Sequence, residues 1–271
     1  MNTIEVHDLR FAYTACTEVL KGFTFTLDER STAIIGQNGA GKTTFVKLLK
    51  GLLRPTSGQI VFNGHDIADV SVPKLAKDIG LVFQNPNDQI FKNTVIDEVM
   101  FGPLQIGMSE DEAKEASRKA LDIVGLRGQE GTNPYDLGLS NRKMVSIAAI
   151  LAMNTKVVIF DEPTIAQDHD GKERLHEIIE SLCSEHKIVI SILHDMDFVA
   201  QTFQRAIVLA HGQVLLDSDP RSVFSRRDVL QHAFLEQPTT TQLCCALGYN
   251  DIFLSPDEFV EHYQTLKASR L

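Results

Sequence analysis

The sequence has little cysteine, no excess of basic residues and no long apolar run. Its four cysteines, Cys16, Cys183, Cys244 and Cys245, lack C-x-x-C spacing, which argues against a zinc site or a disulfide framework and favours reduced thiols in cytosol. The net charge of −10 argues against a chain held to nucleic acid by bulk charge, although a local basic patch would escape this test. No apolar run approaches the ~20 residues that span a bilayer, so any membrane role must come through a partner.

The size and composition are those of an ordinary globular protein. The chain has 271 residues, of which 43% are hydrophobic and 23% are charged. This length allows one large domain, or a domain with an appendage. Its start has no basic segment followed by an apolar one, so no signal peptide is predicted.

A glycine-rich stretch fits the pattern G-x-x-x-x-G-K-[ST], which is typical of the phosphate loop of nucleotide hydrolases. The predicted nucleotide-binding residues are Gly36, Gln37, Asn38, Gly39, Ala40, Gly41, Lys42, Thr43 and Thr44. An apolar run before the loop predicts a buried strand, and the segment after it predicts a helix, whose N–H groups and dipole would attract an anion. Lys42 would reach the β- and γ-phosphates, and Thr43 would hold Mg²⁺. The alternative is a glycine-rich turn before a helix.

Two further polar candidates have structural alternatives when each is taken alone. Tyr13 precedes the glycine-rich loop and is a candidate for stacking on an adenine ring. The alternative is that it packs into the core. Gln84 follows the apolar run 79–83 and is a candidate for contact with Mg²⁺ or with the attacking water. The alternative is that it belongs to a simple turn.

Two apolar runs end in residues that suit phosphate chemistry. Residues 156–160 are followed by Asp161 and Glu162, and residues 187–193 are followed by His194. Strands that alternate with helices predict a parallel sheet with functional residues at the strand ends. Asp161 would bind Mg²⁺, Glu162 would act as general base, and His194 would orient the water and the γ-phosphate. Lys42 would supply charge stabilisation.

The remaining segments predict helices and additional strands. Apolar alternation within residues 4–35 predicts short antiparallel strands, including Thr32 to Ile35. Ser109 and Glu112 form a capping box that opens a helix, and a second helix is predicted over 144–153. Residues 219–271 predict short helices between turns, and so polar a tail is expected to add little core.

Together these motifs resemble those of the ATP-binding cassette (ABC) ATPases over residues 2 to about 235. The segment Gly36–Thr44, Gln84, Asp161 with Glu162, Asp168 and His194 are similar to the phosphate loop, Q-loop, Walker B segment, D-loop aspartate and switch histidine of that family. Tyr13 then resembles the adenine-stacking aromatic. The resemblance implies an α/β fold: a RecA-like P-loop core with an antiparallel β subdomain, an inserted helical subdomain at about 94–153, and a C-terminal helical appendage. It also implies ATP and Mg²⁺ as cofactors, an ATPase domain over 1–235 and an appendage over 236–271.

Within this family, the segments 82–91 and 94–103 are similar to the ATPases of energy-coupling factor (ECF) transporters, which import vitamins or transition-metal ions such as cobalt or nickel. That resemblance implies ATP hydrolysis coupled to transport at the cytoplasmic face of a membrane. The implied partners are a second ABC ATPase, a transmembrane scaffold subunit and a substrate-binding membrane subunit, without nucleic acid. The appendage would help the two ATPases dimerise.

One motif departs from the family pattern. The signature Leu-Ser-Gly-Gly-Gln, which completes the ATP site of the opposite subunit, is replaced by the segment Leu137–Asn141. The predicted trans-site residues are Gly138, Leu139, Ser140, Asn141 and Asp168. A leucine side chain where backbone must approach phosphate should weaken that contact, so a heterodimer with a second, intact ATPase is predicted. The alternative is that Ser140 and the helix N-terminus suffice.

Three other functions remain open from the sequence. The first is an ATPase of another class of ABC importer. The second is a soluble ABC ATPase that acts in DNA repair or on ribosomes. Soluble members usually carry long coiled coils or two cassettes, and neither is evident here. The third is a regulatory subunit that binds ATP without hydrolysing it. The presence of Glu162 and His194, the residues predicted to act in hydrolysis, argues against it.

Overall fold

A computed structural model describes residues 2–14, 17–249 and 251–268. Cys16, one of the predicted thiols, lies outside these residues, as do residues 250 and 269–271 of the predicted appendage. The other three cysteines are free. Within the described ranges, no helix is long and apolar enough to cross a membrane.

The described residues form two sheets and a set of helices. The strands are β1 Ile4–Thr14, β2 Thr17–Leu27, β3 Thr32–Gly36, β4 Ser57–Phe62, β5 His65–Asp66, β6 Ile79–Val82, β7 Val157–Asp161, β8 Ile188–Leu193, β9 Arg205–Ala210 and β10 Gln213–Ser218. The helices are α1 Lys42–Leu49, α2 Val72–Asp78, α3 Val95–Ile106, α4 Glu110–Ile123, α5 Leu139–Leu151, α6 His169–Ser184, α7 Met196–Thr202, α8 Pro220–Ser225, α9 Arg227–His232, α10 Thr239–Ala246 and α11 Pro256–Ala268.

The larger sheet has the strand order β10-β9-β3-β8-β7-β6. Its strands pair in parallel from β9 to β6, and β10 pairs antiparallel to β9. Strand β3 lies between β8 and β9. The prediction that Thr32 to Ile35 joins the antiparallel strands is therefore wrong: all five residues of β3 are buried, as expected for a parallel strand that is covered on both faces.

The smaller sheet is antiparallel, with the order β2-β1-β4-β5. Together with the parallel sheet and its helices, it confirms the predicted α/β fold. Successive β3 side chains point to opposite faces: Ile34 packs with α1 and the small sheet, whereas Ala33 and Ile35 pack with the helices of the other face. The larger sheet thus separates two hydrophobic cores and fixes its strand ends relative to both.

Three helices, α3, α4 and α5, lie between β6 and β7 in the chain and pack together. The capping box is present, because Ser109 accepts from the Glu112 N–H while Glu112 accepts from the Ser109 N–H. Helix α5 begins at Leu139 rather than at the predicted Met144. The sequence stretch before Met144 is polar, yet it forms the first turn of the helix.

The tail is predicted to add little core of its own, and several of its side chains are buried in the core beside the parallel sheet. Val223, Phe224 and Leu230 are buried in the same core as the parallel sheet. Farther along, Phe253 is 4% exposed, and its ring packs edge-on against Phe259 with centroids 5.3 Å apart. The tail therefore covers one end of the sheet, although the division of the chain at residue 235 stays a prediction.

Candidate active site

The glycine-rich loop connects the end of β3 to the start of α1. Gly36 needs glycine for packing, since a Cβ there would lie 2.1 Å from the carbonyl oxygen of Leu209. Gly39 has a φ of +82° and nothing within 4 Å of the position of a Cβ, so its backbone faces open space. Helix α1 has no side chain capping its N-terminus. Its first N–H groups therefore remain available to an anion, as this motif requires.

Lys42 folds back over the loop from which it starts. Its Nζ donates to the Gly36 carbonyl at 2.5 Å and to the Gln37 carbonyl at 3.1 Å. Burial lowers the pKa of Lys42, whereas the nearby carboxylates of Glu162 and Asp161 oppose that shift. The ammonium group is thus held inside the loop, where a phosphate would be its natural counter-ion.

The two consecutive carboxylates stand at the end of β7. Burial raises the pKa of Asp161, and the ammonium groups of Lys143 and Lys42 oppose this rise. Burial also raises the pKa of Glu162, to about 7, with Lys42 opposing and Asp161 adding to the rise. Glu162 adopts a φ of +49°, a conformation unusual for a residue with a side chain. Its N–H donates to the Ile192 carbonyl of β8, which helps fix that turn.

His194 follows β8 and reaches both Glu162 and Lys42. Its Nε2 lies 3.1 Å from Glu162 Oε1 and 3.4 Å from Lys42 Nζ. Burial and the Lys42 charge lower the pKa of His194, so the imidazole is neutral near pH 7. The Glu162 contact is then a hydrogen bond rather than an ion pair. A neutral ring at this position can donate to Glu162 or accept from Lys42, depending on its tautomer.

Tyr13 and Gln84 also face this space. The Tyr13 ring is 56% exposed, packs edge-on against Phe11, and its hydroxyl lies 3.4 Å from Thr44 Oγ1. More than half of the Tyr13 surface is therefore accessible. Gln84 comes directly after Phe83, beyond the end of β6, and is exposed.

These side chains line one cavity of about 720 Å³. The sequence-predicted residues at its wall are Tyr13, Asn38, Gly39, Gly41, Lys42, Thr43, Thr44, Gln84, Asp161, Glu162 and His194. Three loop residues, Gly36, Gln37 and Ala40, are absent from the wall. Gly36 and Gln37 instead hold Lys42 through their carbonyls.

The donor set fits Mg²⁺ together with a polyphosphate. Thr43, Gln84 and Asp161 bring a hydroxyl, an amide and a carboxylate to the same cavity, and Mg²⁺ prefers hard oxygen ligands of this kind. When bound, the ion would neutralise phosphate charge. Few protein carboxylates are required, because Mg²⁺ sites of this type are completed by phosphate oxygens and waters.

The predicted trans-site residues do not line this cavity. Gly138 is the N-cap of α5, without a side-chain cap, and Leu139 is 46% exposed in the first turn. Asn141 is exposed, and Asp168 caps α6 by accepting from the Gly171 N–H. The Ser140 hydroxyl donates to Gln167 Oε1 at 3.0 Å.

Two residues near these segments, Lys143 and Gln167, were not predicted from the sequence. Lys143 is 1% exposed and binds backbone carbonyls at the ends of β6 and β7. Gln167 binds Ser140 through both ends of its amide. Lys143 directly precedes the apolar run of α5, which is a signal for its burial, but neither its backbone partners nor the contacts of Gln167 have a signal in the sequence.

The chain is similar to known proteins both in sequence and in fold. A family model described as ABC transporter matches residues 20–165. A putative ABC transporter ATP-binding protein of Pyrococcus furiosus is 38% identical over 249 residues, covering 92% of this chain and 95% of the relative. The energy-coupling factor transporter ATP-binding protein EcfA2 of Caldanaerobacter subterraneus subsp. tengcongensis is 36% identical, covering 94% and 92%. The structure of cbiO1 from Clostridium perfringens, part of the ABC transporter complex cbiONQ, superposes with a TM-score of 0.75 at 33% identity, covering 84% of this chain and 92% of that one.

Proposed function

Because the chain belongs to the ABC transporter family as an ATPase of the energy-coupling factor type, we propose that it powers uptake of a vitamin or a transition-metal ion. In this role it would bind peripherally at the cytoplasmic face of the membrane, on a transmembrane scaffold subunit that also carries a substrate-binding membrane subunit. The observation that carries the proposal is the shared cavity of Lys42, Asp161, Glu162 and His194, in a chain that is similar to EcfA2 over most of its length.

ATP binding follows from the loop and from Tyr13. The adenine ring stacks on the exposed face of Tyr13, while the loop N–H groups and Lys42 hold the phosphates. Lys42 exchanges its contacts with the loop carbonyls for phosphate oxygens. Thr43, Gln84 and Asp161 would hold Mg²⁺, which would neutralise phosphate charge.

Hydrolysis follows from Glu162 and His194. The Glu162 carboxylate accepts a proton from the attacking water as general base, which its pKa of about 7 suits. His194 fixes that carboxylate through the 3.1 Å contact and points its ring at the γ-phosphate. Most of the rate comes from positioning and from the charge of Lys42, since phosphoryl transfer needs little covalent chemistry from the protein.

The altered signature supports pairing with a different ATPase. Leu139 occupies the first turn of α5 with its side chain partly exposed, where an intact signature has glycine. The Ser140 hydroxyl is engaged by Gln167 within the same chain. A γ-phosphate of the opposite subunit would thus meet fewer free donors. In this proposal Asp168 lies at the same subunit interface, and the heterodimer has one strong and one weak site.

A repaired signature tests the heterodimer. The quadruple variant Gly138→Ser, Leu139→Gly, Ser140→Gly and Asn141→Gln should dimerise with Mg-ATP in a Glu162→Gln background, as measured by size-exclusion chromatography with light scattering. The unrepaired Glu162→Gln chain should remain monomeric under the same conditions. Adding Lys42→Ala to the repaired chain should abolish the dimer. Strong ATP-dependent self-association of the unrepaired chain, with hydrolysis at both sites, would contradict the asymmetric assembly.

An apolar surface next to Gln84 supports docking to the scaffold subunit. Phe83 and Phe91 are exposed, and the Phe91 ring packs edge-on against Phe101 at 4.8 Å. Lys92 lies over both rings, at 5.1 and 4.9 Å from their centroids. A membrane subunit on this surface would sense the position of Gln84 directly.

The C-terminal segment supports a second contact between the ATPases. We assign residues 1–235 to the ATPase domain, with a helical subdomain at about 94–153, and residues 236–271 to a dimerisation appendage. Leu243 on α10 and Leu247, the residue that caps the C-terminus of α10, are both exposed, as are Val260 and Tyr263 on α11. Exposed apolar side chains with helical spacing commonly bind a partner.

Purification of the tagged chain from membranes tests the whole proposal. Intact mass spectrometry of the complex should reveal a second ATPase, membrane subunits and a bound vitamin or metal ion. Recovery with nucleic acid or ribosomes, and without membrane proteins, would favour a soluble ABC ATPase. A complex with another type of membrane subunit would favour a different importer class. A complete complex that releases no phosphate from ATP would indicate a regulatory subunit.

A further inference from the structure

Lys143 is a charged side chain that is buried without a carboxylate ligand. It is 1% exposed, and its Nζ donates to the carbonyl oxygens of Phe83 at 2.7 Å, Gln84 at 2.8 Å and Asp161 at 3.2 Å. Burial lowers the pKa of Lys143 to about 8, and the charges of Asp161 and Glu162 oppose this shift. Burying an ammonium group is costly unless its donors are satisfied, and here three carbonyls meet its three donors.

These carbonyls come from the ends of two neighbouring strands. The β6–β7 pairing ends with Val82 opposite Phe160. Beyond that pair the two backbone segments are no longer paired; one continues to Gln84 and the other to Asp161. Lys143 enters at this divergence from α5 and connects both chains through one nitrogen. It therefore holds the two backbone segments that carry an amide and a carboxylate to the cavity.

Further hydrogen bonds join α5 to the loop that follows β6. Arg142 donates to Asn87 Oδ1 at 2.8 Å and to the Leu137 carbonyl at 3.0 Å. Gln89 accepts from the Phe83 N–H and donates to the Ser146 carbonyl. The loop after β6 is thus fastened to α5 at several points, and Lys143 supplies the point nearest the cavity.

We propose that Lys143 is a positioning residue that sets the distance between Gln84 and Asp161 by binding the backbone beneath both. The proposal rests on the metal-binding roles proposed above for those two residues. Helix α5 begins at the altered signature, with Arg142 and Lys143 one turn inside it. A displacement of that helix start, caused by the nucleotide of the opposite subunit, therefore reaches the metal ligands of this subunit through Lys143.

Lys50 provides a matched control at the other end of the same strand. Its Nζ donates to the carbonyl of Ile79, the first residue of β6, and burial lowers its pKa to about 8. It does not line the cavity. Lys50→Met and Lys143→Met each remove a buried ammonium that binds β6, but only Lys143→Met loosens the end that carries Gln84.

The test compares these variants in the full chain, assembled in its complex. Lys143→Met should lower kcat at least about tenfold with little change in KM for ATP, since small misplacements of reacting groups cost up to about 10²-fold. It should also raise the Mg²⁺ concentration for half-maximal activity. Lys143→Gln, which keeps N–H donors, should restore part of kcat. Lys50→Met should retain wild-type kcat and Mg²⁺ dependence.

Binding measurements keep the test independent of turnover. Calorimetry with ATP, with and without Mg²⁺, should show that Lys143→Met loses the metal-dependent part of the affinity and keeps the metal-independent part. A wild-type complex that does not hydrolyse ATP would count against the proposed function, while this comparison would still decide the role of Lys143. If Lys143→Met does not fold, Lys143→Gln is measured in its place. Equal kcat and Mg²⁺ dependence in wild type and a folded variant, or a loss that merely follows the folded fraction, would overturn the proposal.

Discussion

The Nε2 atom of His194 lies 3.1 Å from Glu162 Oε1, so the residue after β8 holds the carboxylate that follows β7. The two strands are hydrogen-bonded neighbours, and Asp161 is paired with Ile192. The contact therefore depends on the register of the sheet rather than on a flexible loop. A carboxylate held in this way would meet a water molecule at a fixed angle.

Glu162→Gln should keep ATP binding and abolish turnover. Glutamine preserves the size of the side chain but cannot accept a proton from water. Phosphate release from the complex should fall by at least about 10²-fold, the range assigned to a positioned general base, while calorimetry should give an unchanged ATP affinity. Phosphate release at the wild-type rate would refute the assignment of the base.

The same substitution should stabilise the nucleotide-free chain in a pH-dependent way. The pKa of Glu162 rises from its ordinary 4.5 to about 7 in the folded protein, so ionisation opposes folding. Below pH 4.5 Glu162 is protonated in both the folded and the unfolded state, so its ionisation does not affect stability. The destabilisation grows between pH 4.5 and about 7 and is constant above that range. The free energy of unfolding of Glu162→Gln should exceed that of wild type by on the order of 2 kcal/mol at pH 8. Denaturant titrations at pH 4 and 8 check this, and an equal gap at both values would contradict it.

Lys42→Ala should remove ATP binding rather than turnover alone. Lys42 lies within the phosphate loop, and no other described lysine lines the cavity. The midpoint of thermal unfolding should therefore no longer rise with Mg-ATP. Lys47→Ala is a suitable control, because Lys47 is in the same helix but exposed, and it should keep the wild-type shift. A wild-type shift in Lys42→Ala would argue against its role.

Glu98→Ala should loosen the loop that leads from Gln84 to α3. The Glu98 carboxylate is buried and accepts from the N–H groups of Phe91 and Lys92 at 2.9 and 2.8 Å. Removing it leaves two partly buried donors without their acceptor, which should lower the free energy of unfolding by about 1 kcal/mol. Hydrogen exchange should accelerate at Phe91 and Lys92. Asp97→Ala is the exposed control and should leave exchange at these two amides unchanged.

The sequence predicted the fold class and the residues of the cavity because both depend on local patterns. The phosphate loop, the pair Asp161 and Glu162, and His194 each follow an apolar strand, and parallel strands bring their ends to one edge. Lys143 escaped prediction because its partners are backbone carbonyls, which any sequence supplies. Strand β3 was assigned to the wrong sheet, since a wholly apolar run does not specify its neighbours. The burial of Phe224 and Phe253 depends on a surface assembled from distant parts of the chain.

The central place of β3 in its sheet governs how this ATPase can move. The strand is hydrogen-bonded on both sides and leads straight into the glycine-rich loop, so in the proposed role the phosphates would be bound beside a strand that is held by two neighbours. Any movement that ATP drives would then be expected in the helices and edge strands around β3. The nucleotide site would thus lie at the centre of the sheet, and the parts that move would lie at its edges.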